Sequence, residues 1–246
     1  MPNITLDIPD TTFACSALPD TNFSSYPLLF AGTDPSYQYC VGLLKINLPS
    51  LPVTSVDSAI LQLFVIVKTG VSPSPVIVGR ATSPFNVDTV TYFTLPTSVA
   101  TPSQADVMDS DLSTAVQIDV TELVNGWLDG TYANEGIVLK NLDGATAVEF
   151  ATKAIIYEPF FPKLVLTYSD APVKPVETPV KPVDAPVKPV DAPANPVEVV
   201  NPIYTLPANP VAMEITPELP AEVNRKSGLL SRIIRLFDGF RRKNRK

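Results

Sequence analysis

Between Ser58 and Tyr168 the hydrophobic positions fall in short runs that alternate with polar residues or are dominated by β-branched side chains. SAILQLFVIV (Ser58–Val67), AVQIDV (Ala115–Val120), GIVLK (Gly136–Lys140), AVEFATK (Ala147–Lys153) and PKLVLTY (Pro162–Tyr168) are bounded by clusters of Pro, Gly, Asp, Asn and Ser. Such runs are strands, half-buried where they alternate, and many of them with turn signals between predict an all-β chain folded as an antiparallel sandwich or jelly roll. One stretch breaks the pattern. In DVTELVNGWLDG, Leu123, Val124, Trp127 and Leu128 share a helical face, Thr121 is the expected N-cap, Glu122 suits the positive end of the dipole and Gly130 ends the turn. Trp127, the only tryptophan, is expected to plug the end of the sandwich rather than to form a stacking platform.

The period changes beyond Asp170. APVKPVE, TPVKPVD, APVKPVD and APANPVE run in register from Ala171 to Glu198, with two prolines in each copy. Proline removes a backbone donor and biases its predecessor toward extended conformations, so residues 171–224 are expected to form a disordered or polyproline-II-like linker. At ~3.1 Å per residue, roughly fifty residues would reach on the order of 150 Å. From Arg225 the period becomes helical: Leu229, Leu230, Ile233, Ile234, Leu236, Phe237 and Phe240 make one apolar stripe. The expected organisation is therefore a β-sandwich head at 1–170, a linker at 171–224 and an amphipathic helix at 225–246.

Charge sharpens the reading of that last segment. Arg225, Lys226, Arg232, Arg235, Arg241, Arg242, Lys243, Arg245 and Lys246 stand against Asp238 alone, a net +8 in a chain of −7, so residues 1–224 carry −15. A basic amphipathic helix on an acidic body is an attachment device, for an anionic membrane surface or a groove on a partner protein. Nucleic-acid binding is disfavoured, because the apolar stripe is too rich for a phosphate-tracking arm. The stripe is also too short and too interrupted by Arg to span a bilayer. The opening MPNITLDIPDTTFA has neither a basic n-region nor an apolar h-region, so synthesis in the cytoplasm is expected, with work at a membrane periphery or a cell or spore surface.

Candidate chemistry is sparse. With no histidine in the sequence, the commonest general base and neutral metal ligand are missing, and no phosphate loop, paired-carboxylate signature or nucleophile elbow appears. No enzyme activity and no cofactor are expected; Asp106, Asp109 and Asp111 are either oxygen ligands for a structural Ca²⁺ or a solvated acidic loop. Cys15 and Cys40, the only cysteines, are either a disulfide or two buried thiols on neighbouring strands. Tyr37, Tyr39, Tyr92 and Phe93 are candidates for stacking on sugars, or for packing at the sandwich edge.

Four segments in order resemble the DNRLRE-type β-sandwich domains, relatives of the carbohydrate-binding jelly rolls of bacterial and archaeal surface proteins. They are TTFACSALPDTNFSSYPLLFAGTDPSYQYCVGLLKINLPSLP, SVDSAILQLFVIV, IDVTELVNGWLDGTYANEGIVLK and EFATKAIIYEPFFPKLVLTY. The third carries the most telling pattern, D-V-T-x-x-V-x-x-W-x-x-G-x-x-x-N-x-G-[IL]-x-L. The resemblance covers residues about 8–168 and implies the sandwich fold and a surface or matrix role, with polysaccharide as a partner of the head. In the closing segment Lys153 and Ala154 stand where the family usually has an acid. The resulting expectation is a non-enzymatic structural or adaptor protein, its head attached to a membrane surface through the C-terminal helix, as in a spore-coat-like assembly. The alternatives are a carbohydrate-binding module, or a fibre or shell component whose helix docks in a protein groove.

Overall fold

The computed structural model describes residues 2–154 and 158–169. The chain separates into two units, Met1–Val173 and Lys174–Lys246, and the described residues all belong to the first. The proline-rich linker and the basic C-terminal segment lie outside them.

The described residues form strands β1 (Asn3–Asp7), β2 (Asp10–Cys15), β3 (Leu28–Asp34), β4 (Gln38–Lys45), β5 (Ser58–Thr69), β6 (Ser74–Ala81), β7 (Ser98–Val107), β8 (Ala115–Asp119), β9 (Ile137–Lys140), β10 (Ala147–Ala151) and β11 (Lys163–Thr167). Helix α1 (Thr121–Leu128) follows β8. Every strand pairing is antiparallel. The pivot is β5. Its first half carries β11 on one edge, with Ile60 opposite Val165, and β8 on the other, with Ile60 opposite Asp119. Its second half turns into another layer, where Val67 faces Glu149 of β10. From β10 the sheet continues through β3, β4, β9 and β6 to β7, while β2 runs along the other edge of β4. The sheet is thus curled on itself, and β7 approaches β8 although no ladder joins them.

Alternation fills the inside of the curl. Ala59, Leu61 and Leu63 are buried while Ile60 and Gln62 are part-exposed; Val116 and Ile118 are buried between exposed Ala115, Gln117 and Asp119. Strand β4 departs from this rule because both its faces are covered. Val41 and Leu43 pack outward against Val90, Phe85 and Leu95 of the segment between β6 and β7, forming a second small core with Ala81 and Val138. Phe13, Phe23 and Phe30 form an aromatic cluster, the Phe13 and Phe23 rings stacked at 4.3 Å. Cys15 and Cys40 lie opposite each other on β2 and β4, fully buried, and are joined as a disulfide with Cα atoms 4.2 Å apart. Of the two arrangements left open by the sequence, the structure has the bonded one.

Two local expectations about α1 differ from the structure. Thr121 is the first helical residue rather than the cap, which is Val120 without a side-chain hydrogen bond. The Thr121 hydroxyl instead accepts the Ala59 N–H at 2.9 Å and donates to Asp119 Oδ1 at 2.6 Å, tying the helix start to β5. Leu123, Val124 and Trp127 are buried, but Leu128, at the last turn, is only half-buried.

Candidate binding cleft

Where β7 and β8 approach without pairing, α1 and the turn after it complete a cleft of about 800 Å³. Pro102, Ser103 and Gln104 of β7 form one wall, and Asp119 closes β8. Thr121, Glu122, Asn125 and Gly126 come from α1, and Asp129, Thr131 and Tyr132 from the following turn. Pro102 is tolerated within a strand because it falls in the irregularity of the β6–β7 ladder, between the paired Ala100 and Gln104. The cleft is a product of the sheet's curl: nothing pairs the two edges, so side chains rather than backbone line the gap.

Its walls are held by bonds that leave other groups free. The Asn125 side chain accepts from Val56 N at 2.7 Å and donates to Val56 O at 3.1 Å, clamping α1 onto the approach to β5. The Tyr132 ring lies directly over Gly126, where an added Cβ would collide with Cδ2 and Cε2. Tyr132 N donates to Gly126 O at 2.8 Å, and the Arg80 guanidinium sits 4.1 Å from the ring centroid. Only glycine at 126 lets the ring settle so closely on the helix.

The electrostatics are acidic. Hydrogen bonds from the Thr121 hydroxyl and N–H hold the Asp119 carboxyl below the usual carboxylate range. The same groups of Thr131 do so for Asp129, so both are ionised at neutral pH. Glu122 adds a third carboxylate, against one cation, Arg80, placed on the ring of the lining Tyr132. Through Asp170 the sequence has six Lys and Arg against seventeen Asp and Glu, a net −11. The cleft thus offers charged acceptors, the amide of Gln104, hydroxyls of Ser103 and Thr131, and one aromatic ring. That set suits a ligand rich in hydroxyl or amino donors.

The residues singled out in the sequence sit elsewhere. Tyr37 packs edge-on against Phe30 at 5.3 Å, within the aromatic cluster. Tyr39 belongs to the outer core, and burial followed by the nearby Tyr92 raises its pKa. Phe93, on a single 3-10 turn at Tyr92–Thr94, is 71 % exposed. Asp106 lies exposed on β7, away from the roles its neighbours take. Asp109 pairs with the buried Lys68 at 3.0 Å and accepts from Ser72 at 2.9 Å, while Asp111 accepts the Met108 N–H at 2.8 Å. Asp109 is thus engaged by the end of β5 and the turn after it and Asp111 by its own loop, and no group of three metal-ligating side chains occurs among the described residues. The membrane- or partner-binding residues Leu229 to Lys243 lie outside the described residues. Sequence reasoning missed Ser103, Gln104, Asp129 and Tyr132 as one site, although the D-V-T…W…G pattern already contains Asp119 and Thr121.

A curled antiparallel sheet with a polar, carboxylate-lined cleft defines a β-sandwich-like binding domain. Residues 5–168 match carbohydrate-binding module family 96, and the chain belongs to that family. The narrower DNRLRE label suggested by the motifs is not confirmed by this match. No curated protein matches the chain.

Proposed function

We propose that the head is a non-enzymatic carbohydrate-binding module, and that the cleft between β7, β8 and α1 holds the glycan. The observation that carries the assignment is the cleft's lining: three carboxylates and Gln104 are placed to accept from or donate to sugar hydroxyls around the half-buried Tyr132. Three carboxylates outweigh the one cation placed against the lining, Arg80 on the Tyr132 ring, so the ligand class is a neutral or amino-bearing polysaccharide. The buried disulfide supports work in oxidising surroundings.

Affinity electrophoresis of the full chain through gels containing neutral, amino-bearing or uronate polysaccharides tests this. Retardation is expected on the first or second kind and not on the third. The double variant Glu122→Gln/Asp129→Asn should bind about tenfold more weakly, the loss of one or two charge-assisted hydrogen bonds. Equal retardation by uronate polymers, or full binding by the double variant, would sink the assignment.

A second reading concerns Arg225–Lys246. Its apolar stripe and net +8 favour attachment of the module to an anionic membrane surface, with the linker as spacer. Head and tail then have separate partners.

A further inference from the structure

We propose that the single turn Tyr92–Thr94 carries a second glycan-contact surface, with Phe93 as an aromatic platform for a pyranose face. This rests on the glycan-binding reading of the head, but uses residues that line no part of the cleft. Phe93 is the only aromatic among the large hydrophobic side chains exposed in the described residues, at 71 %. An exposed side chain alone calls for no explanation. The way this one is held does.

The turn is fixed from several directions. The Asn22 amide donates to Val87 O at 2.8 Å and to Val90 O at 2.7 Å, and Phe93 N donates to Pro19 O at 3.3 Å. Thr91 N donates to Thr94 Oγ1 at 2.9 Å, and Val90 beneath the turn is buried in the outer core. The backbone presenting Phe93 is therefore ordered before any ligand arrives, which removes a large part of the cost of binding. The surroundings are amphipathic: Tyr92 contributes a phenol, Thr91 and Thr94 contribute hydroxyls, and Asp20 and Asp88 are exposed nearby in sequence to the bonded Pro19 and Val87. An exposed aromatic plane flanked in the chain by hydroxyl-bearing residues suits a sugar ring, which has an apolar C–H face and a rim of hydroxyls.

Size decides against a protein occupant. A Phe side chain offers at most on the order of 200 Å², whereas a stable protein interface needs about 800 Å² from each side. Position favours a polymer shared with the cleft. Strand β7 begins at Ser98, just after the turn, and leads to Gln104 in the cleft wall. At ~3.3 Å per residue the stretch from Ser98 to Gln104 covers roughly 20 Å, a span for several sugar rings. Two weak contacts on one chain raise avidity without any new bond in either.

The test uses the full chain with Phe93→Ala, Phe93→Trp and the cleft double variant. Each is measured by affinity electrophoresis against the retained polysaccharide and by calorimetry with a di- or trisaccharide of the same sugar. Melting temperatures check the fold. Phe93→Ala should bind the polymer about tenfold more weakly, as loss of one buried aromatic contact implies, with short-sugar binding and melting unchanged, and Phe93→Trp should restore it. Wild-type polymer binding by Phe93→Ala overturns the platform. The cleft reading survives that result if the double variant still binds weakly. Equal losses in Phe93→Ala and Phe93→Trp with a lowered melting temperature would show a structural role and overturn the platform too. A wild-type chain that binds no polysaccharide removes both readings together.

Discussion

At the scale of single residues, the acids of this head act as local braces. Asp109 is pulled below the usual carboxylate range by hydrogen bonds from Lys68 and Ser72. Burial pushes Asp143 up, but hydrogen bonds from Thr146, Ala145 and Asn141 outweigh it and leave it lowered. Asp119 and Asp129 are lowered by their threonine partners. The sign is the same for all four: a depressed folded pKa gives stability that is present above the unfolded value and lost as pH falls through the folded one. Thermal stability should therefore be nearly flat from neutral pH down to about pH 4 and drop below it. Glycan binding should persist over the same range, since the cleft stays anionic. A melting scan that already declines steeply between about pH 6 and pH 5, above every carboxylate range, would contradict this. Asp106, Asp109 and Asp111 show why spacing alone misleads: three acids within six positions look like an oxygen-ligand set, yet two of them are engaged by neighbouring side-chain and backbone donors.

At the scale of elements, legibility followed periodicity. The alternating runs placed β5, β8, β9, β10 and β11 within a residue or two of their observed bounds. Strands β6 and β7 do not stand out, because Pro75 and Gly79 interrupt one and Pro102 the other. Pro75 and Gly79 interrupt a strand paired on both sides, and Pro102 lies on β7, the edge that opens the cleft. The cleft itself was not legible. Residues 102–104 and 119–132 meet only because β5 turns from one layer into the next, and no local pattern announces that turn. Helix α1 was legible in its buried face and misread at its cap, since Thr121 serves β5 rather than its own helix. Trp127 anchors that helix, 8 % exposed, with its indole N–H unpartnered. Trp127→Ala should cost about 3–5 kcal/mol in chemical denaturation, as loss of a large core aromatic does. Trp127→Phe should cost clearly less, because it also removes a buried donor that bonds nothing. Equal losses in the two variants would mean that the indole N–H is satisfied in solution.

At the scale of the whole molecule, the separation of charge is the dominant feature: −15 through residue 224 and +8 after it. An acidic head is repelled by anionic lipid, whereas the basic segment is attracted to it. Lys and Arg near an anionic surface contribute on the order of 1 kcal/mol each before saturation. Fully burying a large apolar side chain adds about 1.5–3 kcal/mol, of which an interfacial helix captures part. Ordering the helix opposes both, since an isolated segment of this length is marginal in water. The expected result is reversible, salt-sensitive adsorption of the full chain to anionic vesicles and none to neutral ones. Ile234→Asp with Phe237→Asp should abolish it by breaking the apolar stripe, and Lys243→Gln should only weaken it. Vesicle flotation at low and high salt reads all three. If the full chain stays in the soluble fraction at low salt while truncation before Arg225 still mislocalises the head in cells, the tail binds a protein groove instead. Polysaccharide binding by the head should be the same in wild type and tail variants, because the cleft and the Phe93 turn both lie within residues 5–168.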